Sequence, residues 1–141
     1  MTATGITLTP YLSFNGDAAE AMRYYQSILG GELKMQTFGE AKMAETPQEK
    51  DLIVHAILQT DSLTFMASDT HPSRQAIFGD SVQMSVTGQE RRRLTEVFNK
   101  LAQGGRVDMP LAKQFWGDTF GMLTDRFGIH WMINIPSQAQ E

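Results

Sequence analysis

Two residues in the first half of the chain could move a proton between them. His55 lies in an apolar run at 52–58, and Asp69 follows a second run at 63–67 across the turn-like stretch Gln59-Thr60-Asp61-Ser62. If the runs pair as a hairpin, an imidazole and a carboxylate come within reach of general acid–base work, because histidine titrates near neutrality and a carboxylate orients it. Each residue also has a structural reading. His55 has apolar neighbours on both sides, the setting of a hydrogen-bonded core histidine. Asp69-Thr70-His71-Pro72 begins a loop, where aspartate commonly caps free backbone N–H groups. The sequence leaves both open.

The remaining inventory narrows the chemistry. There is no cysteine, which excludes disulfides, thiolate metal sites and a thiol nucleophile, and there are only three histidines. A metal centre built from the usual ligands would have to draw on His55, Asp69 or His71. No glycine-rich phosphate loop of the dinucleotide or nucleoside-triphosphate type is present. The basic run Arg91-Arg92-Arg93 sits at a helix start and reads as a solvated face. Trp116, next to Phe115 in a glycine-bounded stretch at 114–121, is either a ligand wall, lid or dimer contact, or simple packing. Nine methionines is a high count, and soft unbranched side chains can line an adaptable apolar pocket.

These residues need a scaffold. A strand-like start at 6–14 leads to Ala18, Ala21, Met22, Tyr25, Ile28 and Leu29, which recur at helical spacing. Asp17 with Glu20 has the form of a capping box, and Gly30-Gly31 supplies the stop. Strands follow at 32–38, 52–58 and 63–67, with a polar, mobile loop over 39–50. The order then repeats. A strand at 81–86 precedes a second capping box at Thr87-Gly88-Gln89-Glu90 and a helix carrying Leu94, Val97, Phe98, Leu101 and Ala102 up to Gly104-Gly105. Strands at 106–109, 120–124 and 129–135 complete it, the last two joined by Asp125-Arg126-Phe127-Gly128. Recurring element order and double-glycine stops predict a duplicated βαβββ module within a single domain, 1–141, module one over about 6–69 and module two over about 81–136. A ferredoxin-like fold has fewer strands than this pattern supplies. Trp131 alternates with Ile129, Ile133 and Ile135, which predicts the helix-facing side.

With 141 residues and 41% hydrophobic side chains the chain can bury one core, and its 16 acidic and 12 basic residues are dispersed. A nucleic-acid footprint needs a concentrated positive face, so no nucleic-acid partner is expected. No apolar run approaches the roughly 20 residues of a membrane span, and the first residues lack a signal-peptide pattern, so no membrane partner and a cytoplasmic location are expected.

The stretch from Asn15-Gly16-Asp17 through Glu20, Tyr24-Tyr25 and Leu29-Gly30-Gly31 resembles the first-helix signature of the vicinal-oxygen-chelate superfamily of glyoxalases, bleomycin-resistance proteins and extradiol dioxygenases. The closing Thr124-Asp125-Arg-Phe-Gly128-Ile-His-Trp131-Met-Ile-Asn134, with Pro10-Tyr11-Leu12-Ser13-Phe14 and Phe65-Met66-Ala67-Ser68-Asp69, is closer to its PhnB-like (YjdN-like) branch. The resemblance runs over nearly the whole chain. It implies an α+β fold of two tandem βαβββ modules whose mixed sheets curl into an open cup, usually in a homodimer.

In the metal-dependent relatives the cup floor holds a divalent ion through one residue on each of four strands. By position these fall at Pro10, Met66, Ser81 or its neighbour, and Met132. Proline has no side-chain donor and a thioether suits Cu(I) rather than a hard or borderline divalent ion, so no metal and no other cofactor is expected. His130 and Asn134 flank Met132 on its face, and Gln83 and Ser85 share a face with Ser81. The resemblance implies a small organic molecule in a cup lined by Leu12, Phe14, Met66, Gln83, Trp116 and Met132. The alternative is a superfamily isomerase, lyase or transferase using His55 and Asp69 or a rebuilt divalent site. The demethylubiquinone methyltransferase label that such domains carry is at odds with the missing glycine-rich strand–helix turn that a nucleotide-like methyl donor generally needs.

Overall fold

The computed structural model describes residues 5–138. Its first half runs β1 (Tyr11–Phe14), α1 (Ala18–Leu29), β2 (Glu32–Thr37), a short 3-10 turn (Pro47–Glu49), β3 (Ile53–Gln59) and β4 (Thr64–Asp69). The second runs β5 (Met84–Thr87), α2 (Arg91–Ala102), β6 (Arg106–Lys113), β7 (Thr119–Thr124) and β8 (His130–Ile135). The strands form two four-stranded sheets, ordered β1-β4-β3-β2 and β5-β8-β7-β6. In each, the first strand lies parallel to the last and the other neighbours are antiparallel. The same βαβββ module therefore occurs twice, and the chain divides into two compact units between Ala76 and Ile77. No helix among the described residues is long and apolar enough to cross a membrane.

Each helix covers one face of its own sheet. Ala18, Ala21, Met22, Tyr25 and Ile28 are buried along one stripe of α1, and Leu94, Val97, Phe98 and Leu101 along one stripe of α2. They meet the alternate buried strand residues Phe65 and Ala67 in the first unit, and Leu123, Trp131, Ile133 and Ile135 in the second. Fully burying a large apolar side chain contributes about 1.5–3 kcal/mol, so these two stripes and the strand residues they cover are a main source of the drive to fold. Trp131 faces the helix as its alternation predicts, and its indole Nε1 donates to the buried Asp125 carboxylate at 2.8 Å.

The double glycines do one job in both units. Gly30 and Gly104 take positive φ (79° and 78°) to end the helices, and the following glycine passes a strand end at close range. A Cβ on Gly31 would stand 2.5 Å from the Gln59 carbonyl oxygen, and one on Gly105 would stand 2.2 Å from that of Thr124. Gln59 and Thr124 end the equivalent strands β3 and β7, so the repeat extends to atomic contacts.

Several expectations are corrected. The first strand begins at Tyr11 rather than residue 6, and Ile6 and Leu8 are fully exposed. The strand expected over 81–86 is Met84–Thr87. Neither capping box forms as drawn. The Asp17 side chain makes no cap bond, and α2 starts later than Thr87 implies, with Glu90 at its N-cap. Thr87 is instead held in β5. The loop over 39–50 is hydrogen-bonded along its length: Phe38 and Gly39 N–H groups donate to Leu52 and Lys50 carbonyls, and Met43 N–H donates to Phe38.

Candidate functional site

The helix-free face of each sheet is where a ligand could be met. In the first unit the register sets Tyr11 opposite Met66 and Met66 opposite Ile57, while His55 lies opposite Gln36. Phe65, Ala67 and Asp69 turn toward α1, so Met66 and Ser68 turn away from it. The partner of Met66 on β1 is Tyr11, which places Tyr11 and Ser13 on the helix-free face. Leu12 and Phe14 pair with Ala67 and Asp69 on the helix side, and Phe14 has no exposed surface. Phe14 is a core residue and Leu12, half-buried, shares its side rather than the helix-free face, because a strand alternates sides at every residue and a one-residue offset moves the whole set.

His55 and Asp69 are also separated. His55 is exposed on the helix-free face, with its Nδ1 3.2 Å from the Tyr11 hydroxyl and the rings 5.8 Å apart. Asp69 points the other way and is 5% exposed. Its Oδ1 accepts the Gly16 and Ala18 N–H groups at 2.9 and 3.0 Å, and its Oδ2 accepts that of Ile53 at 2.9 Å. The proton-relay pair is therefore replaced by two arrangements: a structural carboxylate that caps α1 from β4, and a Tyr–His pair facing out. Tyr11 carried no sequence signal of its own, since its partner lies 44 residues away.

His71 lies beyond β4. Its Nδ1 accepts the Ser73 N–H at 3.1 Å and is 2.7 Å from the Ser73 hydroxyl, while its Nε2 stands 3.7 and 3.6 Å from Glu45 and Glu49 carboxylate oxygens. The adjoining cleft, lined by Asn15, Leu52, Thr70 and Pro72, has a volume near 190 Å³. That is below the roughly 300–1,000 Å³ of small-molecule sites. A larger hollow, near 600 Å³, runs along Arg91, Thr95 and Asn99. It is the outward surface of α2 alone, a solvated helix face.

The second unit's helix-free face is better furnished. Across β6, β7, β8 and β5 the register aligns Met109 with Met122, Met122 with Met132, and Met132 with Ser85. The neighbouring row sets Phe120 opposite Asn134 and Asn134 opposite Thr87. Gln83 is half-buried just ahead of β5, two positions before Ser85. Trp116 is half-exposed in the turn between β6 and β7, 4.9 Å from the Phe115 ring and 6.1 Å from the Phe120 ring, both edge-on. At this end the Asn134 amide donates to Asp118 at 3.2 Å.

The opposite end is a polar chain. The His130 Nδ1 is 2.9 Å from the Thr124 hydroxyl and its Nε2 is 2.9 Å from the Gly79 carbonyl. A carbonyl only accepts, so Nε2 carries a proton. Thr124 donates to Asp108 at 2.7 Å, and Arg106 donates to Asp108 and to the Thr124 hydroxyl. Hydrogen bonds from Arg106 first, then Thr124, hold the Asp108 carboxyl below the usual aspartate range, with the Arg106 and His130 charges adding to this. Thr124 and His130 flank the turn at Asp125–Gly128 and are paired by hairpin register. Arg106 and Asp108 needed the sheet.

The positions that hold a divalent ion in metal-dependent relatives have unsuitable donors here. Met66 and Met132 offer thioethers on the helix-free faces, Ser81 is exposed before β5, and Pro10 contributes only its backbone carbonyl, which accepts the Met66 N–H at 2.9 Å. Among the described residues no three His, Cys, Asp or Glu side chains are grouped to hold a metal. This donor set does not suit a hard divalent cation.

Comparison with known proteins agrees with this architecture. The model of the family described as 3-demethylubiquinone-9 3-methyltransferase matches residues 6–134. Protein YjdN of Escherichia coli is 34% identical, over 93% of this chain and 96% of its own. The crystal structure of protein PA1353 from Pseudomonas aeruginosa superposes with a TM-score of 0.83 at 40% identity, covering 94% of this chain and 98% of that one. A Bacillus cereus structure described as a putative 3-demethylubiquinone-9 3-methyltransferase, PhnB protein, gives 0.79 at 28% identity, covering 92% and 99%. Glyoxalase/bleomycin-resistance/dioxygenase proteins of much lower identity share the fold alone. The match of the family model over residues 6–134 and that to YjdN make the chain a member of the PhnB-like (YjdN-like) family described as 3-demethylubiquinone-9 3-methyltransferase, with the two-module fold that glyoxalase and bleomycin-resistance proteins share.

Proposed function

We propose that this protein binds a small organic molecule on the helix-free face of its sheets, as a homodimer and without a divalent ion. The observation that carries the reading is the second unit's face. Met109, Met122, Met132, Phe120 and Trp116 offer soft and aromatic surface, with a few oriented polar groups at either end, His130–Thr124 and Asn134–Asp118. Small-molecule sites have this make-up, mostly apolar with a few placed hydrogen-bonding groups. On this second-unit face Gln83, Trp116 and Met132 are the candidate contact residues, and on the first unit's own helix-free face Met66 is joined by Tyr11 and Ser13 in place of Leu12 and Phe14. The homodimer is supported by the apolar residues left uncovered on one chain, among them Ile6, Leu8, Val82 and Phe115.

The test is a ligand screen by thermal shift, followed by light scattering for mass. A binder raises the melting temperature in a concentration-dependent way, and Met132→Ala or Trp116→Ala reduces the shift. A chain that elutes as a monomer, or whose hits are indifferent to both substitutions, refutes the reading.

The enzymatic alternative now rests on Tyr11 and His55. The hydroxyl–imidazole contact at 3.2 Å could pass a proton to a substrate on the first unit's face. Asp69 takes no part, since both its oxygens are used by backbone N–H groups. Turnover of a screened hit that disappears in His55→Ala while the fold persists would favour this alternative. Methyl transfer, named in the family description, is tested by calorimetry with the nucleoside methyl donor, and no binding is expected.

A further inference from the structure

We propose that the methionine row Met109–Met122–Met132, aligned across β6, β7 and β8 on the helix-free face, is a site for a soft monovalent cation, Cu(I), with Ag(I) as its redox-inert stand-in. The inference concerns the face discussed above but does not depend on an organic ligand, because its test uses the metal alone.

The three residues are successive register partners, Met109 with Met122 and Met122 with Met132, with the β6 register shifting on either side of Met109. Directly opposite residues of antiparallel strands have Cβ atoms about 4.5–5.5 Å apart. A methionine side chain has three free torsions beyond the backbone, so thioethers from the two outer strands can converge above the central one. Three sulfur donors around one point form a trigonal soft site. Such a site disfavours Mg, Ca, Mn or Zn, which prefer oxygen, nitrogen or thiolate, and suits Cu(I). The donors carry no charge, which also favours a monovalent ion over a divalent one.

The surroundings separate this site from ordinary packing. On β7 and β8 the helix-facing residues are Leu123, Trp131, Ile133 and Ile135, and both methionines of these strands lie on the other face. Met22, a methionine that does pack the core of its own unit, is fully buried, whereas Met109 is 38% exposed and Met122 and Met132 are half-buried. An ion can therefore reach the sulfurs from solvent. His130, two residues from Met132 on the same face, already has both ring nitrogens in hydrogen bonds to Thr124 and Gly79. The donor set is sulfur alone. The family's hard-ion position on the last strand has here become part of a row with the opposite preference.

The experiment is an anaerobic titration of the full chain, labelled with methyl-¹³C methionine, with Ag(I) and with Cu(I) buffered by a chromogenic chelator. The three S-methyl signals of the row, assigned by single Met→Leu variants, should move together and saturate at one equivalent. Met122→Leu conserves volume and removes the central donor, so it should weaken binding by about tenfold or more, while the exposed Met43→Leu leaves it unchanged. Met132→Leu serves as the second variant should Met122→Leu fail to fold. Unmoved row signals, an even unsaturated response of all methionines, or unchanged affinity in a folded row variant overturns the proposal.

Discussion

The Asp69 carboxylate accepts the Ala18 N–H at 3.0 Å, so the end of β4 caps the helix that follows β1. The same side chain also holds Gly16 and Ile53, and in this way one buried charge joins three segments that are far apart in sequence. The residue that sequence spacing offered as a catalytic partner is a structural clip.

Replacing Asp69 with alanine should therefore cost about 3 kcal/mol, since a buried unsatisfied N–H costs about 1–3 kcal/mol and three would be left, in part reached by water. Chemical denaturation measures it. A loss below about 0.5 kcal/mol would show that the cap contributes little.

His55→Ala should behave in the opposite way. The side chain is exposed and touches only Tyr11 among the bonds described. Stability should stay within about 0.5 kcal/mol of the wild type, as for most surface substitutions away from special features. The same denaturation curves, compared with those of Asp69→Ala, check it.

The Gly105→Ala variant should lose about 2–3 kcal/mol, because its Cβ would stand 2.2 Å from the Thr124 carbonyl oxygen and backbone would have to move. Gly16→Ala meets no atom within 4 Å and is strained only by its φ of 114°, so its loss should be smaller. Paired thermal melts rank the two.

Asp108 is one source of pH dependence in the stability. Its folded-state carboxyl is held below the ordinary aspartate range, chiefly by the Arg106 hydrogen bond. A lowered value stabilises the folded chain above the unfolded-state value and is lost as pH falls through the folded one. The melting difference between wild type and Asp108→Asn should therefore be present at neutral pH and fade in acid. Arg106→Gln should move the Asp108 NMR titration upward, and an unmoved midpoint would assign the shift elsewhere.

Much of this protein could be read along the chain because the governing interactions are local. Apolar spacing at Ala18, Ala21, Met22, Tyr25 and Ile28 sets a helix with one buried stripe, and Gly30-Gly31 and Gly104-Gly105 stop both helices at equivalent points. The order of elements, its repetition, the helix-facing Trp131 and the thioethers at the positions of Met66 and Met132 all follow from residues a few places apart. The family follows from them too.

The placement of the site needed the tertiary structure, and for one physical reason. A strand exposes opposite sides at alternate residues, so a single position of register decides whether Tyr11 and Ser13 or Leu12 and Phe14 lie on the helix-free face. Only the parallel pairing of β1 with β4 sets that register. The same holds for Asp69, whose partners come from three segments, and for the row of Met109, Met122 and Met132, which exists only where β6, β7 and β8 are laid side by side. Periodicity names the residues of a strand, and pairing with its neighbours decides which of them share a surface.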